Sequence, residues 1–173
     1  DDVLLISQNG YALRFNIEEV PVVGAKAAGV KAMNLKADDA LRATFICNTS
    51  SFYLLTQRGS LKRVSIEEIP ATSRAKRGLQ VLRELKNKPH RAFLAGAVAE
   101  QGFVGDLFST EVEENDQTLL VKSNKGTIYE SRLQDLNLSE RTSNGSFISD
   151  TISDEEVFDA YLKEVFKEDK TNS

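Results

Sequence analysis

Arg74, Lys76, Arg77 and Gly78 stand within five residues of one another, and no acid lies between Glu68 and Glu84. Guanidinium and ammonium groups at that density neutralise phosphate oxygens, and a glycine beside them lets the backbone bend close to a partner. Arg58, Lys62, Arg63 and Arg83 flank the cluster, and Arg14, Lys26 and Lys31 precede it. The chemistry this set offers is contact with a polyanion backbone rather than bond making. His90 is the only histidine and Cys47 the only cysteine, and neither a histidine-based metal cluster nor a Ser-His-Asp partner set is evident. No phosphate-cradling P-loop and no dinucleotide fingerprint occurs. The sequence assigns no catalytic residue, no metal ligand and no cofactor site to this chain.

The elements that must position these cations recur. Phe52–Leu55 is an apolar run of strand length, Gln57-Arg58-Gly59 a tight turn, and the return strand alternates Val64 and Ile66 against Arg63 and Ser65. Pro70 ends the ladder because it has no N–H to give. The same template begins at Gly10 and again at Gly126. Nine residues after each turn glycine stand Glu19, Glu68 and Asp135; fifteen after stand Ala25, Arg74 and Arg141; nineteen after stand Gly29, Gly78 and Gly145. Four residues after each turn glycine stand Arg14 and Arg63 and, as the exception, Glu130. A strand-rich repeat of this length predicts propeller-like blades, each burying its sheet faces against its neighbours. The acid pairs Glu18-Glu19 and Glu67-Glu68 fall at one place in the template, which marks them as features of the strand-to-loop corner.

These signals divide the chain into a first blade unit at 1–51, a second, basic unit at 52–99, an inserted segment at 100–117 and a third, acidic unit at 118–152. Residues 153–173 form the tail. Ser153 followed by Glu156 reads as a capping box, and Val157, Phe158, Tyr161, Leu162, Val165 and Phe166 share one helical stripe, so the tail is predicted as an amphipathic helix packed on the last blade, frayed at 171–173. His90, in a Pro-His-Arg turn, is expected to be solvated.

The formal net charge of −4 hides a division along the chain. Residues 1–51 carry net −1, residues 52–91 net +7 and residues 92–173 net −10. A polyanion therefore finds the middle of the chain attractive and its last third repulsive. The single cysteine fits a reducing cytoplasm, no apolar run approaches a membrane span, and the N-terminus lacks a signal-peptide pattern. The chain opens directly into a strand, as a piece of a longer protein would.

At residues 22–36 (VVGAKAAGVKAMNLK) and 70–82 (PATSRAKRGLQVL) the sequence resembles the C-terminal domain of bacterial type IIA topoisomerase A subunits. The resemblance extends from the N-terminus to about Asp150 and lies in the turn glycine, the basic pair Lys62-Arg63, the corner Glu67-Glu68-Ile69-Pro70 and the loop Arg74–Gly78. It implies an all-β, partial β-pinwheel, a disc whose blades exchange strands, and duplex DNA bent or wrapped around a basic rim. It also implies partners: a breakage-reunion domain upstream in the same polypeptide and an ATPase B subunit, with ATP and Mg used in that holoenzyme and not by this chain. A bacterial cytoplasmic, nucleoid-associated setting follows. A Gln-Arg-Arg-Gly-Gly-Lys-Gly box is not present, and the third unit is eroded; both favour the topoisomerase IV branch over the gyrase branch. The expected DNA contacts are Arg14, Lys26, Lys31, Arg58, Lys62, Arg63, Arg74, Lys76, Arg77 and Arg83. Two other readings stay open. These arginines could instead cover their own blades or pair with Glu18, Glu19, Glu67 and Glu68, and the net −10 third portion suits a propeller-like protein-interaction module.

Overall fold

The computed structural model describes residues 1–100, 102–103, 112–113 and 116–165. Three antiparallel sheets follow one another along the chain, and each of the first two is completed by a strand from the unit after it. The first sheet holds β1 (Asp2–Ser7), β2 (Tyr11–Asn16) and β3 (Leu41–Ile46). Its fourth strand, β6 (Leu79–Gln80), crosses over from the second unit and pairs with Tyr11 and Ala12. The second sheet holds β4 (Ser51–Thr56), β5 (Ser60–Ser65) and β7 (Ala92–Val98). It receives β12 (Ser146–Phe147) from the third unit, against Leu61 and Ser60. The third sheet holds β10 (Asp116–Ser123), β11 (Ile128–Arg132) and β13 (Val157–Val165). A short separate hairpin, β8 (Gly102–Phe103) with β9 (Val112–Glu113), lies in the inserted segment.

The template glycines carry this arrangement. Gly10, Gly59 and Gly126 close the three hairpin turns at φ 87, 82 and 86°, and Gly29, Gly78 and Gly145 take φ 84, 89 and 74°. Only glycine occupies that left-handed region at little cost. At the corner after each second strand, Ile17–Glu19, Ile66–Glu68 and Leu133–Asp135 form short 3-10 turns. Asn16 caps the first and Ser65 the second, accepting from the backbone N–H of Glu18 and Glu67 at 2.9 and 3.3 Å. The acid pairs are thus structural features of the corner.

Two of the three apolar clusters lie between units, and the third, Val3, Leu5, Leu13, Phe15 and Met33, lies within the first. One cluster joins Leu4, Ile6 and Ala12 of the first unit to Phe52, Leu54, Val64, Ile69, Val81 and Leu82 of the second. Another joins Tyr53, Leu55 and Leu61 of the second to Leu119, Val121, Leu133, Ile152 and Val157 of the third. Alternation along each strand sends one face to each neighbour, so a unit alone would leave an apolar sheet face in water.

The predicted C-terminal helix is corrected. Residues Val157–Val165 are a strand paired with β10 from Ser123↔Val157 to Asp116↔Val165. The third hairpin needs the third strand that β3 and β7 give the first two, and these residues also read with period two. Ala160 and Leu162 pack inward, whereas Tyr161 is 61% exposed. Phe158, predicted to be buried, is 68% exposed and lies at a bulge in the pairing, the irregularity that made a helical stripe of an alternating strand. Ser153 does not cap a helix; its hydroxyl donates to the Asp150 carbonyl at 2.9 Å inside the 3-10 turn Asp150–Asp154. Phe166 and residues 171–173 lie outside the described residues.

His90 is corrected too. It is only 5% exposed, with Nδ1 2.9 Å from the Thr56 hydroxyl and Nε2 accepting from Arg58 at 3.2 Å. Burial, and then the Arg58 guanidinium, push its pKa down to about 4 from 6.5.

Two stability predictions follow from these geometries. A Cβ at Gly78 would stand 2.2 Å from the Ala12 carbonyl oxygen, whereas one at Gly29, of similar φ, meets nothing within 4 Å. Gly29→Ala should cost only the left-handed backbone penalty of roughly 1–2 kcal/mol. Gly78→Ala should cost about 1–3 kcal/mol more, because it wedges two backbones apart; urea unfolding of both variants reads the difference. For His90 the unfolded chain takes up the proton first as pH falls. Its contribution is therefore full above pH 6.5 and lost as pH falls through 4. Denaturation between pH 7 and 4 should show that loss, and His90→Gln should remove its pH dependence while lowering stability at pH 7.

Candidate nucleic-acid interface

The template arginines face the joints between units. Arg14 Nε donates to Asp2 at 2.8 Å, and its NH1 reaches the Ile66 and Ile69 carbonyls of the second unit's corner at 3.4 and 3.2 Å. Arg63 does the same one unit on: Nε donates to the Ser51 hydroxyl at 2.7 Å and NH1 to the Leu136 carbonyl at 3.5 Å. Ser51 and Leu136 hold the template places of Asp2 and Ile69. Each of these guanidiniums is half-buried and staples its unit to the corner of the next. In the third unit the same place is Glu130, which is exposed.

A second staple runs the opposite way. Arg74 sits in the loop that crosses onto the first unit, where its Nε donates to the Glu19 carbonyl at 3.3 Å and its NH1 to the Lys31 carbonyl. Arg141, its counterpart in the third unit, donates from NH1 to the Gln80 carbonyl at 2.7 Å. Arg58 is held by the Lys88 carbonyl at 2.7 Å and by His90, and lies over the Phe147 ring 5.5 Å from its centroid. Lys62 is only 2% exposed, and its ammonium donates to the Val81, Arg141 and Ser143 carbonyls. The expected phosphate contact at Lys62 would have to displace these carbonyls, because its charge is enclosed by backbone oxygens. Phosphate contact by Arg14, Arg63, Arg74 or Arg58 would have to compete with partners each already holds.

The remaining expected residues are different. Lys26, Lys31, Lys76, Arg77 and Arg83 are exposed, and their side chains make no hydrogen bond or ion pair with the described residues. Lys76 and Arg77 project from the loop whose backbone is pinned by Arg74 and by the Thr72 N–H, which donates to the Arg14 carbonyl at 2.8 Å. Arg83 has its own backbone held by the Asn144 amide, which accepts from the Arg83 N–H at 2.7 Å and donates to its carbonyl at 3.0 Å. Lys26 and Lys31 lie on the first unit's equivalent loop, where Gly24 and Gly29 have no neighbour within 4 Å of an added Cβ. Lys86 and Lys88 are two further exposed ammoniums that the repeat register missed, because only the second unit carries them; the charge of the middle block was their signal.

These cations can act as point charges and forks, those of the second unit on a backbone pinned at Thr72 and Arg83. Among the described residues no groove-inserted helix accompanies them, so the arrangement suits phosphates rather than base edges. The third unit carries the opposite sign, with Glu130, Glu140, Asp150, Asp154 and Glu156 exposed. Among the described residues no three His, Cys, Asp or Glu side chains are placed to hold a metal ion, and no helix is long and apolar enough to cross a membrane.

A family model described as DNA gyrase C-terminal domain, beta-propeller, matches residues 1–48 and 51–91. The chain is 91% identical over 170 residues to the DNA topoisomerase 4 A subunit of Streptococcus pneumoniae, covering 98% of this chain and 21% of that protein. It is 42% identical over 149 residues to the DNA topoisomerase 4 A subunit of Bacillus subtilis, covering 86% of this chain and 17% of that one. The chain thus spans about a fifth of the length of these relatives. Among solved structures, the C-terminal domain of DNA topoisomerase IV superposes with a TM-score of 0.75 at 36% identity, over 95% of this chain and 47% of that one. A DNA gyrase A C-terminal domain superposes at 0.70, over 94% of this chain and 50% of that one; at 17% identity it speaks to the fold alone. With strands handed from each unit to the one before it and this match across the first two hairpin units, the chain belongs to the DNA gyrase C-terminal domain family of β-propeller domains.

Proposed function

We propose that this chain binds duplex DNA through its phosphates, without sequence readout, and bends or wraps it along the rim formed by the first and second units. The observation that carries this reading is the division among the cations. Arg14, Arg63, Arg74 and Lys62 are consumed in holding the units together, whereas Lys76, Arg77 and Arg83, with Lys26 and Lys31, are exposed and unpaired with the described residues. Contacts of this type release condensed counterions and need only charge at the right spacing.

The 91% identity to the DNA topoisomerase 4 A subunit of Streptococcus pneumoniae supports the A subunit of topoisomerase IV as the parent protein. In that setting the chain presents DNA to a breakage-reunion domain upstream in the same polypeptide, for relaxation and decatenation. The ATPase B subunit uses ATP and Mg, and the assembly works in the bacterial cytoplasm on the nucleoid. The acidic third unit favours a second reading, a protein-docking module, since its field repels DNA.

A salt titration of binding to a random duplex separates the two readings. Log affinity should fall with log salt at roughly −0.9 per phosphate contacted. Changing Lys76, Arg77 and Arg83 together to Ala should make that slope shallower by roughly two to three, with melting unchanged. Arg14→Ala should leave the slope nearly as it was and lower stability by about 1–3 kcal/mol, because it strips donors from half-buried carbonyls. Failure of the intact chain to bind duplex at low salt, or a slope that ignores the triple substitution, would overturn the DNA reading and leave the docking module.

A further inference from the structure

Among the described residues Lys62 is a charged side chain enclosed by backbone oxygens from two loops. At its template place the first unit has Leu13 and the third Tyr129. Its ammonium donates to the Arg141 carbonyl at 2.8 Å, to the Ser143 carbonyl at 2.5 Å and to the Val81 carbonyl. Val81 belongs to the second unit's crossing segment, and Arg141 and Ser143 to the third unit's crossing loop. One buried cation therefore ties two backbone segments together.

What those segments carry gives the tie a consequence. The residue after Ser143 is Asn144, whose amide grips both the N–H and the carbonyl of Arg83. The residue after Val81 is Leu82, which packs over the first hairpin turn so closely that a Cβ on Gly10 would stand 2.6 Å from it. Gly145 then passes Leu61 with no room for a Cβ, which would stand 2.6 Å from the Leu61 carbonyl oxygen. Arg83 projects its exposed guanidinium from this gripped backbone. Lys62 is fixed from below by β5 and from above by three carbonyl oxygens. Burial lowers its pKa to about 8, with Glu68 opposing and Arg141 adding to the fall, so at neutral pH it remains an ammonium with three protons for three acceptors.

We propose that Lys62 is a positioning residue for phosphate binding: by holding residues 141–143 against Val81 it keeps Asn144 on the Arg83 backbone and so fixes where the Arg83 guanidinium meets DNA. This rests on the DNA reading above. Lys62 itself touches no phosphate. It acts through the two loops, and a leucine at the same place in the first unit shows that the β-hairpin folds without a charge there.

Two readouts test it. The first needs no DNA: amide hydrogen exchange at Arg83, whose N–H donates to Asn144. Lys62→Met, which removes the cation and keeps most of the volume, should speed exchange of that amide roughly tenfold or more, and Asn144→Ala should do the same without disturbing the buried site. The second is the salt slope on duplex DNA, which should become shallower by roughly one in Lys62→Met and in Asn144→Ala. Adding Arg83→Ala to either variant should change the slope no further. Unchanged exchange at Arg83 in both variants would overturn the tie. Faster exchange with an unchanged slope, or a full extra loss on adding Arg83→Ala, would overturn the positioning role. If Lys62→Met fails to fold, Asn144→Ala carries the same pair of readouts. A wild-type chain that binds no duplex removes the DNA reading and the positioning role with it, while exchange at Arg83 still reports whether the tie exists.

Discussion

The backbone of Gly78 lies against the backbone of Ala12 with no room for a side chain between them, and Gly145 lies against Leu61 in the same way. That approach lets β6 join the first sheet and β12 join the second. It also sets the depth at which each unit seats on the one before it. The Val81 N–H donates to the Gly10 carbonyl at 2.7 Å and the Ile148 N–H to the Gly59 carbonyl at 3.0 Å, so the two joints repeat bond for bond. Two of the three apolar clusters sit inside these joints. A glycine's missing Cβ, a few ladder bonds and a shared core therefore form one cooperative contact, and none of them would be stable in a unit standing alone.

The arginines complete the joints and, by doing so, spend their guanidiniums on backbone partners. Arg14 and Arg63 reach forward to the next corner, and Arg74 and Arg141 reach back to the previous loop. A guanidinium suits this task because its fork can satisfy carbonyls at a corner while its stem covers apolar atoms. The ends of the series differ: Ala25 stands at the backward position in the first unit and Glu130 at the forward position in the third. Both inner joints are stapled in both directions by residues whose equivalents at the outer positions are not basic.

The fold was legible because the register of glycines, corner acids and apolar pairs survives in three units, and a period that long has few structural meanings. The third strand of the last unit was misread because a bulge at Lys122 and Ser123 shifts its alternation, and the shifted positions imitate a helical stripe. The candidate site was legible only in part. Recurrence at one template place marked Glu18-Glu19 and Glu67-Glu68 as structural, and the same logic applies to Arg14 with Arg63 and to Arg74 with Arg141. Lys76, Arg77 and Arg83 do not recur and are left in solvent, whereas Lys62, which does not recur either, is buried, so recurrence sorts the arginines but not every cation. Which way a side chain turns at a joint depends on carbonyls up to 81 residues away, as for Lys62 and Ser143, and no local pattern encodes that distance.

The proposed division between cations that build joints and cations that would meet phosphate can be read directly by lysine acylation, followed residue by residue in mass spectra with and without a random-sequence duplex. Lys26, Lys31 and Lys76 should be modified in the free chain and protected by DNA. Lys122 and Lys125 on the third unit should react equally in both states, and Lys62 should resist in both. Protection confined to Lys122 and Lys125, or a Lys62 that reacts in the folded free chain, would contradict the account.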